Sequence, residues 1–458
     1  MSDLPKGWAT ATLNDLLGTD GLFSDGDWIE SKDQDPNGTN RLLQLADIGD
    51  GLFVDKSSRY VNDEKFSSLN CTELKEGDVL IARMPDPLGR ACLLPAMPQR
   101  CLTVVDVAVF RVGDSGVSKK WLMHFLNSSA IRREMELNSS GTTRKRISRG
   151  KLGEILLSIP PITEQTRIAT KLDELLAQVD NLKVRIDGIP ALLKHFRQSV
   201  LAAAVSGRLT KEWRIAIHET SQDQGFLYPV RRLGVIARFI DYRGKTPEKV
   251  DSGVPLITAK NIKSGYISRV PREFIRPEAY ESWMTRGIPK VGDVLITTEA
   301  PLGNVAVIDI TEKFALAQRA ICLQFHEGYS SSFAAIALQS PLLQEELARR
   351  STGTTVKGIK ASVLKEIGLP APSIDEQNEI VHRVEQLFAY AEQLETKVSE
   401  AKKRIDHLAQ SILAKAFRGD LVQQDPNDEP ADVLLERIKA QRTAAPKAKR
   451  SRRSATVD

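Results

Sequence analysis

The octapeptide SGTTRKRI at 140–147 returns as TGTTVKGI at 352–359, and the likeness continues outward from both. Leu152, Glu154, Ile155 and Pro160 meet Leu364, Glu366, Ile367 and Pro372. Ile162, Glu164, Gln165 and Ile168 meet Ile374, Glu376, Gln377 and Ile380, and QSVLAAAVSGRL (198–209) lies on QSILAKAFRGDL (410–421). Every pair is 212 positions apart, so nothing has been inserted or deleted between Gly141 and Leu209 relative to the second copy. Upstream the echo is fainter and the offset drifts: EGDVLIARMPDPLGR (76–90) resembles VGDVLITTEAPLGN (291–304), and LADIGDGLF (45–53) resembles TAKNIKSGYI (258–267). The chain is a tandem duplication, and it must fold as two like halves. Each half has a divergent front part and a back part of constant length.

The back parts read as long helices. Ile168, Leu172, Leu175, Val179, Leu182 and Ile186 form an apolar stripe with alternating steps of four and three; Val384, Leu387, Ala391, Leu394 and Val398 continue the same phase in the second copy, through Ala401, Ile405, Leu408 and Ile412. This is coiled-coil patterning. Ser373 followed by Glu376 predicts a capping box, and Gly207 and Gly419 stand where a left-handed residue would end each helix. Pro190 predicts a kink or restart in the first helix, because it removes a backbone donor. Two similar halves that pack as a pseudo-dimer adopt two-fold symmetry, which would set the rods antiparallel.

The front parts, 1–160 and 229–372, read as mixed strand and helix. DVLIA and DVLIT are short buried strands after Gly-Asp turns, whereas 119–137 and 331–350 carry helical apolar spacing. The remaining segments are helical spacers at 161–209 and 373–421, a linker at 210–228, and a C-terminal helix with a basic, disordered tail at 422–458. Of the formal charge of +5, the last 16 residues contribute +4, so the body carries only +1 and any case for nucleic-acid binding by it must rest on local clusters. No stretch is apolar for the roughly 18 residues that a membrane span needs, and MSDLPKGWAT lacks a signal pattern, so the expected location is the cytoplasm. Four irregularly spaced cysteines predict free thiols.

The repeated loop is the best candidate for a DNA contact. Residues 140–151 hold Arg144, Lys145, Arg146, Arg149 and Lys151, with Thr142 and Thr143 as hydroxyl donors and Gly141 for close approach, a composition suited to phosphates. Its counterpart offers Thr354, Thr355, Lys357 and Lys360. Base-reading candidates are Arg83, Asp86 and Arg90 in the first copy and, on the matching loop of the second, Thr298, Glu299 and Asn304; Lys260 and Asn261, in the segment 258–267, are further DNA-binding candidates. Arginine suits guanine edges, asparagine suits adenine, and carboxylates accept from cytosine. Different side chains on matching loops suit two readers of two sequences. No Walker, Rossmann, HExxH or paired CxxC motif occurs, so no catalytic residue, bound cofactor or metal is expected in this chain.

The two GTTxKxI…P…EQ…I segments, the paired GDVLI strands, the two heptad stripes and the QS(V/I)LAxA…G endings together resemble the DNA-specificity subunit of type I restriction–modification systems. The likeness runs to about residue 442. It implies an α+β fold, a tandem pseudo-two-fold duplication with two mixed α/β target-recognition domains joined by two long antiparallel coiled-coil helices. Each domain would read one half of a bipartite, asymmetric site in double-stranded DNA, and the helices would set the gap. Expected partners are two methyltransferase subunits that bind S-adenosylmethionine, and translocase–nuclease subunits that use ATP and Mg. Two other classes stay open here, a coiled-coil interaction scaffold and an enzyme with an unrecognised nuclease centre.

Overall fold

In each half, a strand from the front end pairs antiparallel with the strand that feeds the long helix. Ala9–Thr12 pairs with Leu156–Ile159, and Val230–Arg232 pairs with Gly368–Pro370. The computed structural model describes residues 4–85, 87–142, 144–218, 227–242, 247–353 and 355–444. Asp86, Thr143, Thr354 and the basic tail beyond 444 lie outside the described residues. The chain divides into two units, Met1–Ile186 with Ala401–Asp458, and Asp187–Glu400. Each long helix therefore begins in one unit and ends in the other. Packing does not divide at 160 and 372, because the start of each long helix belongs to the core of the front part before it.

The two front parts have the same topology despite their divergent sequences. The first unit holds a four-stranded antiparallel sheet ordered Leu22–Asp25, Val107–Arg111, Val79–Ala82, Ala91–Leu93, and a three-stranded sheet ordered Arg59–Val61, Asn40–Leu43, Cys101–Thr103. The second unit repeats both orders: Ala237–Asp241, Ala320–Phe325, Val294–Thr297, Val305–Val307, and Phe274–Ile275, Val254–Ile257, Ala315–Leu316. In both three-stranded sheets the last pair is parallel. The expected strands at DVLIA and DVLIT are buried at every position, which is why they read as unbroken apolar runs. Their Gly-Asp turns also match. Asp78 accepts from the Lys75 amide at 2.8 Å and Asp293 from the Lys290 amide at 2.7 Å, with Gly77 and Gly292 at φ +83° and +88°. Each predicted helical stretch is a pair of helices, Lys119–Leu126 with Ser129–Leu137 and Ser331–Gln339 with Pro341–Arg350.

The long helices span Ile162–Val205 and Ile374–Ala416, 44 and 43 residues, or about 65 Å at about 1.5 Å per residue. Gly207 and Gly419 follow them at φ +79° and +83°, as left-handed terminators do. In the second unit Arg197 pairs with Glu395 at 2.6 Å while Arg383 donates to the Leu209 carbonyl at 2.9 Å. Rising numbers on one helix meet falling numbers on the other, so the helices run antiparallel there. Within the first unit Lys183 pairs with Asp406 at 2.9 Å. The apolar stripe is buried at Ile168, Leu172, Val179, Val384 and Ala391, but Leu182 and Leu408 are partly exposed and Val184, Leu192 and Tyr390 openly so. A helix with one helical neighbour covers only a narrow seam.

Two expectations for these helices are corrected. Pro190 does not restart the first one, which is continuous through it. Asp187, Gly188 and Pro190 are exposed, and the carbonyl that proline leaves without its helical donor belongs to the half-buried Ile186. The capping box is only half formed. Ser373 Oγ accepts from the Glu376 amide at 3.3 Å, but the Glu376 carboxylate turns inward. It accepts from Thr210 and Tyr228, each at 2.7 Å, and pairs with Arg214 in a buried cluster. The segment 210–228, expected as a linker, thus supplies a short helix, Lys211–His218, and three members of a core.

The neighbouring glutamine is the most closely repeated contact. Gln165 accepts from the Ser118 amide at 2.9 Å and donates to the Pro160 carbonyl at 2.9 Å; Gln377 accepts from the Ser330 amide at 2.7 Å and donates to the Pro372 carbonyl at 2.9 Å. Both are buried. The preceding glutamates match less closely. Glu164 accepts from Trp8 Nε1 at 3.0 Å, as Glu376 does from Tyr228, but no buried arginine bonds it and its other oxygen has no hydrogen-bond partner. Burial pushes the Glu164 carboxyl above its ordinary range, against the Trp8 hydrogen bond and the nearby Arg167. Removing Arg214 would strand the buried Glu376 carboxylate. Arg214→Ala is expected to cost about 3–5 kcal/mol, whereas Arg437→Ala, at an exposed pair with Glu429, should cost under about 1 kcal/mol. Urea unfolding of both variants checks the contrast.

Candidate nucleic-acid interface

The repeated Gly-Thr-Thr loop is a closed hairpin tip. Ser140 and Arg146 exchange two backbone hydrogen bonds at 2.9 and 2.8 Å; Thr352 and Gly358, their equivalents, exchange two at 2.9 Å. Gly141 and Gly353 turn the chain at φ +101° and +108°. A Cβ there would lie 2.5 Å from the Arg144 carbonyl oxygen and 2.2 Å from that of Val356, so only glycine fits. Thr142, Arg144 and Lys145 are exposed on the first tip, as are Thr355, Lys357 and, just beyond it, Lys360 on the second. Arg146 is tied down, donating to the Val105 carbonyl at 3.1 Å and facing Asp106 at 3.4 Å. Arg149 donates to the Phe23 carbonyl at 2.8 Å, and Lys151 is exposed.

Each tip is sewn to the sheet in the same way. The Ile147 amide donates to the Arg83 carbonyl at 3.1 Å and the Arg83 amide to that of Asp106 at 2.9 Å; the Ile359 amide donates to Thr298 at 3.0 Å and the Thr298 amide to Arg319 at 2.9 Å. This ladder makes Arg83 and Thr298 equivalent positions, and the side chain of Arg83 departs from its expected role. The Arg83 guanidinium is buried, bonded to Asp25 and to the carbonyls of Ile147 at 3.0 Å and Val105 at 3.2 Å. Burial lowers its pKa, with Asp25 opposing. Thr298 is buried as well. Arg90 donates to the carbonyls of Ile48, Leu45 and Pro87. Asn261 is buried and holds the turn of its loop, accepting from Thr258 and donating to the carbonyls of Ser268 and Pro271. Asn304 donates to the Ile262 carbonyl at 2.9 Å. The side chains of Arg83, Arg90, Asn261 and Asn304 shape the loops, and a base cannot displace their bonds without cost. Glu299, which pairs with Arg319 at 2.8 Å, and Lys260 remain accessible.

Beside each tip lies a cleft. The first, about 520 Å³, is lined by Gln44, Leu45, Ala46, Val104, Val105 and Asp106, together with Asp27, Trp28, Ile29 and Glu30. The second, about 270 Å³, is lined by Thr258, Ala259, Lys260, Ala317, Gln318 and Arg319, with Lys249 and Ala300. Strand registers make the two sets of six equivalent, since both follow the last residues of the parallel pair, Leu43 with Thr103 and Ile257 with Leu316. Sequence reasoning missed Asp106, Arg319, Trp28 and Gln44. They lie where the offset drifts, and the available signal was the place of Asp106 and Arg319 just ahead of the strands VAVFR and AICLQF. Among the described residues no group of three or more His, Cys, Asp or Glu could hold a metal ion, and no helix is long and apolar enough to cross a membrane.

If the Arg83 guanidinium is part of the framework, Arg83→Ala should lower stability by about 2–3 kcal/mol, because it strands buried acceptors. Denaturant titration of the variant checks this. An unchanged midpoint would return Arg83 to the accessible surface.

Comparison with known proteins gives a consistent result. The family described as type I restriction modification DNA specificity domain matches residues 5–191 and 232–402. The chain is 36% identical over 369 residues to the type I restriction enzyme EcoBI specificity subunit of Escherichia coli, covering 76% of this chain and 77% of that one. It is 33% identical over 348 residues to the EcoKI specificity subunit of Escherichia coli strain K12, covering 73% and 74%. Among solved structures, the HsdS subunit from Thermoanaerobacter tengcongensis shares the fold with a TM-score of 0.60 at 20% identity, over 92% of this chain and 98% of that one. A chain from a solved type I R-M system does so with a TM-score of 0.66 at 20% identity, over 92% and 100%. The duplicated readers, the paired long helices and these matches make the chain a member of the type I restriction–modification DNA specificity subunits.

Proposed function

We propose that each front part reads one half of a bipartite, asymmetric site in double-stranded DNA, and that the two long helices set the distance between the halves. The observation that carries this reading is the contrast between the copies. Their framework and back-part length are constant, while the loops beside the hairpin tips differ in almost every side chain. The exposed tip residues Arg144, Lys145, Lys357 and Lys360, with Thr142 and Thr355, suit sequence-independent phosphate contacts. Exposed apolar side chains on the helices, Val184 and Leu408 in the first unit and Leu192 and Tyr390 in the second, suit docking of two methyltransferase subunits. In this reading S-adenosylmethionine is held by those subunits, and ATP and Mg by a translocase–nuclease subunit; this chain supplies recognition alone.

Replacing Arg144, Lys145 and Lys357 together by Ala should weaken binding of the complex to every DNA sequence alike. Each lost phosphate contact should flatten the slope of log affinity against log salt by about 0.9. An unchanged slope would end the phosphate assignment.

The spacing role is tested by length. Four residues inserted after Ala177 add about 6 Å, close to one helical turn, and nearly preserve facing. With a DNA rise of about 3.4 Å per base pair, the half-sites should separate by one or two pairs while their sequences stay the same. Two inserted residues rotate the stripe by about 200° and should abolish methylation. The methylated motif, read from cells that carry each variant with its partner subunits, reports the outcome. A four-residue variant with the original spacing and full activity would remove the ruler.

A further inference from the structure

The six equivalent positions that line the two clefts share one backbone framework and not one side chain. Gln44, Leu45, Ala46, Val104, Val105 and Asp106 stand opposite Thr258, Ala259, Lys260, Ala317, Gln318 and Arg319. Some side chains that hold the fold together are kept in both copies, as with Gln165 and Gln377; none of these six is. A surface held in shape while every side chain on it changes has the properties of a discriminating surface. The sharpest change is at the sixth position. The carbonyl there accepts the same backbone bond in both copies, at 2.9 Å, but its side chain is a carboxylate in one and a guanidinium in the other.

Both side chains are presented in a defined direction. Asp106 is steadied by Arg146 at 3.4 Å and is 32% exposed; Arg319 is steadied by Glu299 at 2.8 Å and is 52% exposed. The ion pair has been inverted between the copies, with the other partner drawn from a different loop in each. In the second cleft two lining residues other than glycine, Ala300 and Arg319, hold left-handed backbone at φ +47° and +73°. Such strain persists where the surrounding structure imposes it, commonly at a binding surface.

We infer that this position is a specificity determinant of each reader: Arg319 donates to the O6/N7 edge of a guanine in one half-site, and Asp106 accepts from the N4 amino group of a cytosine in the other. The chemistry follows from the major-groove pattern, in which a guanidinium fork matches guanine and a carboxylate matches the cytosine amino donor. The assignment rests on the proposal that each front part reads one half-site.

The test uses the full chain in complex with its methyltransferase subunits. The measured quantity is the ratio of affinity for the wild-type site to affinity for the site with one base pair changed, taken at each position of both half-sites. Arg319→Ala should reduce that ratio at one guanine by about 5- to 150-fold and leave the other half-site unchanged. Arg319→Lys, which keeps the charge without the fork, should also lose most of it. Asp106→Ala should relax one cytosine in the opposite half-site. Ratios equal to wild type throughout would overturn the assignment, as would uniform weakening on all sequences that Arg319→Lys restores, the behaviour of a phosphate contact. Loss of discrimination in both half-sites at once would make Arg319 a residue of the fold and overturn it too. A wild-type complex with no bipartite preference would instead remove the underlying proposal, a result visible before any variant is made.

Discussion

Everything that a reader can do depends on its attachment to the rod, and in both copies that attachment is a buried glutamine. Gln165 and Gln377 each join a backbone amide at the start of a reader helix to the proline carbonyl ahead of the long helix. One amide side chain supplies both an acceptor and a donor, so both buried backbone groups are satisfied together. A glutamate could not donate to the carbonyl, and a shorter amide could not span both groups. The glutamine fixes where the helix starts relative to the sheet. If the helices set a spacing, this contact gives their length a defined origin.

The glutamates beside them show how far the duplication can drift. Glu376 is neutralised by Arg214, whereas Glu164 is met mainly by Trp8, and burial holds its carboxyl above the ordinary range. An aromatic donor reaches the carboxylate in each case, Tyr228 in one copy and Trp8 in the other. The contact geometry has been kept while the chemistry changed, which is possible because a phenol and an indole both offer one donor at the end of a flat apolar body.

This explains which features were legible in the sequence. The back parts were legible because their length is constant: an unbroken offset let each residue vouch for its counterpart, and the long helices, their terminal glycines and the repeated loop followed, though not its closed hairpin form. The front parts were legible only as classes of element, since loops of unequal length break the offset just where the clefts lie. Arg83 and Asn261 looked like readers because arginine and asparagine suit base edges, yet both are also the side chains best able to satisfy several backbone groups at a loop. Composition cannot separate these roles; burial does. Pro190 does not restart the first helix, because one missing bond is outweighed by the rest of a 44-residue helix.

Charge completes the account of how recognition would be divided. With a net charge of +1 outside its last 16 residues, the body of the chain offers little long-range attraction to a polyanion, and the first cleft carries three carboxylates, Asp27, Glu30 and Asp106. Under the proposed function, phosphate contacts are confined to two small basic tips, and the clefts between loops contribute through directed, short-range bonds. A reader built this way gains little from DNA that presents the wrong bases, because the sequence-independent contacts are few. Weak general affinity then becomes a source of discrimination, and the two readers can exchange side chains at a single position, even from carboxylate to guanidinium, without altering the framework that carries them.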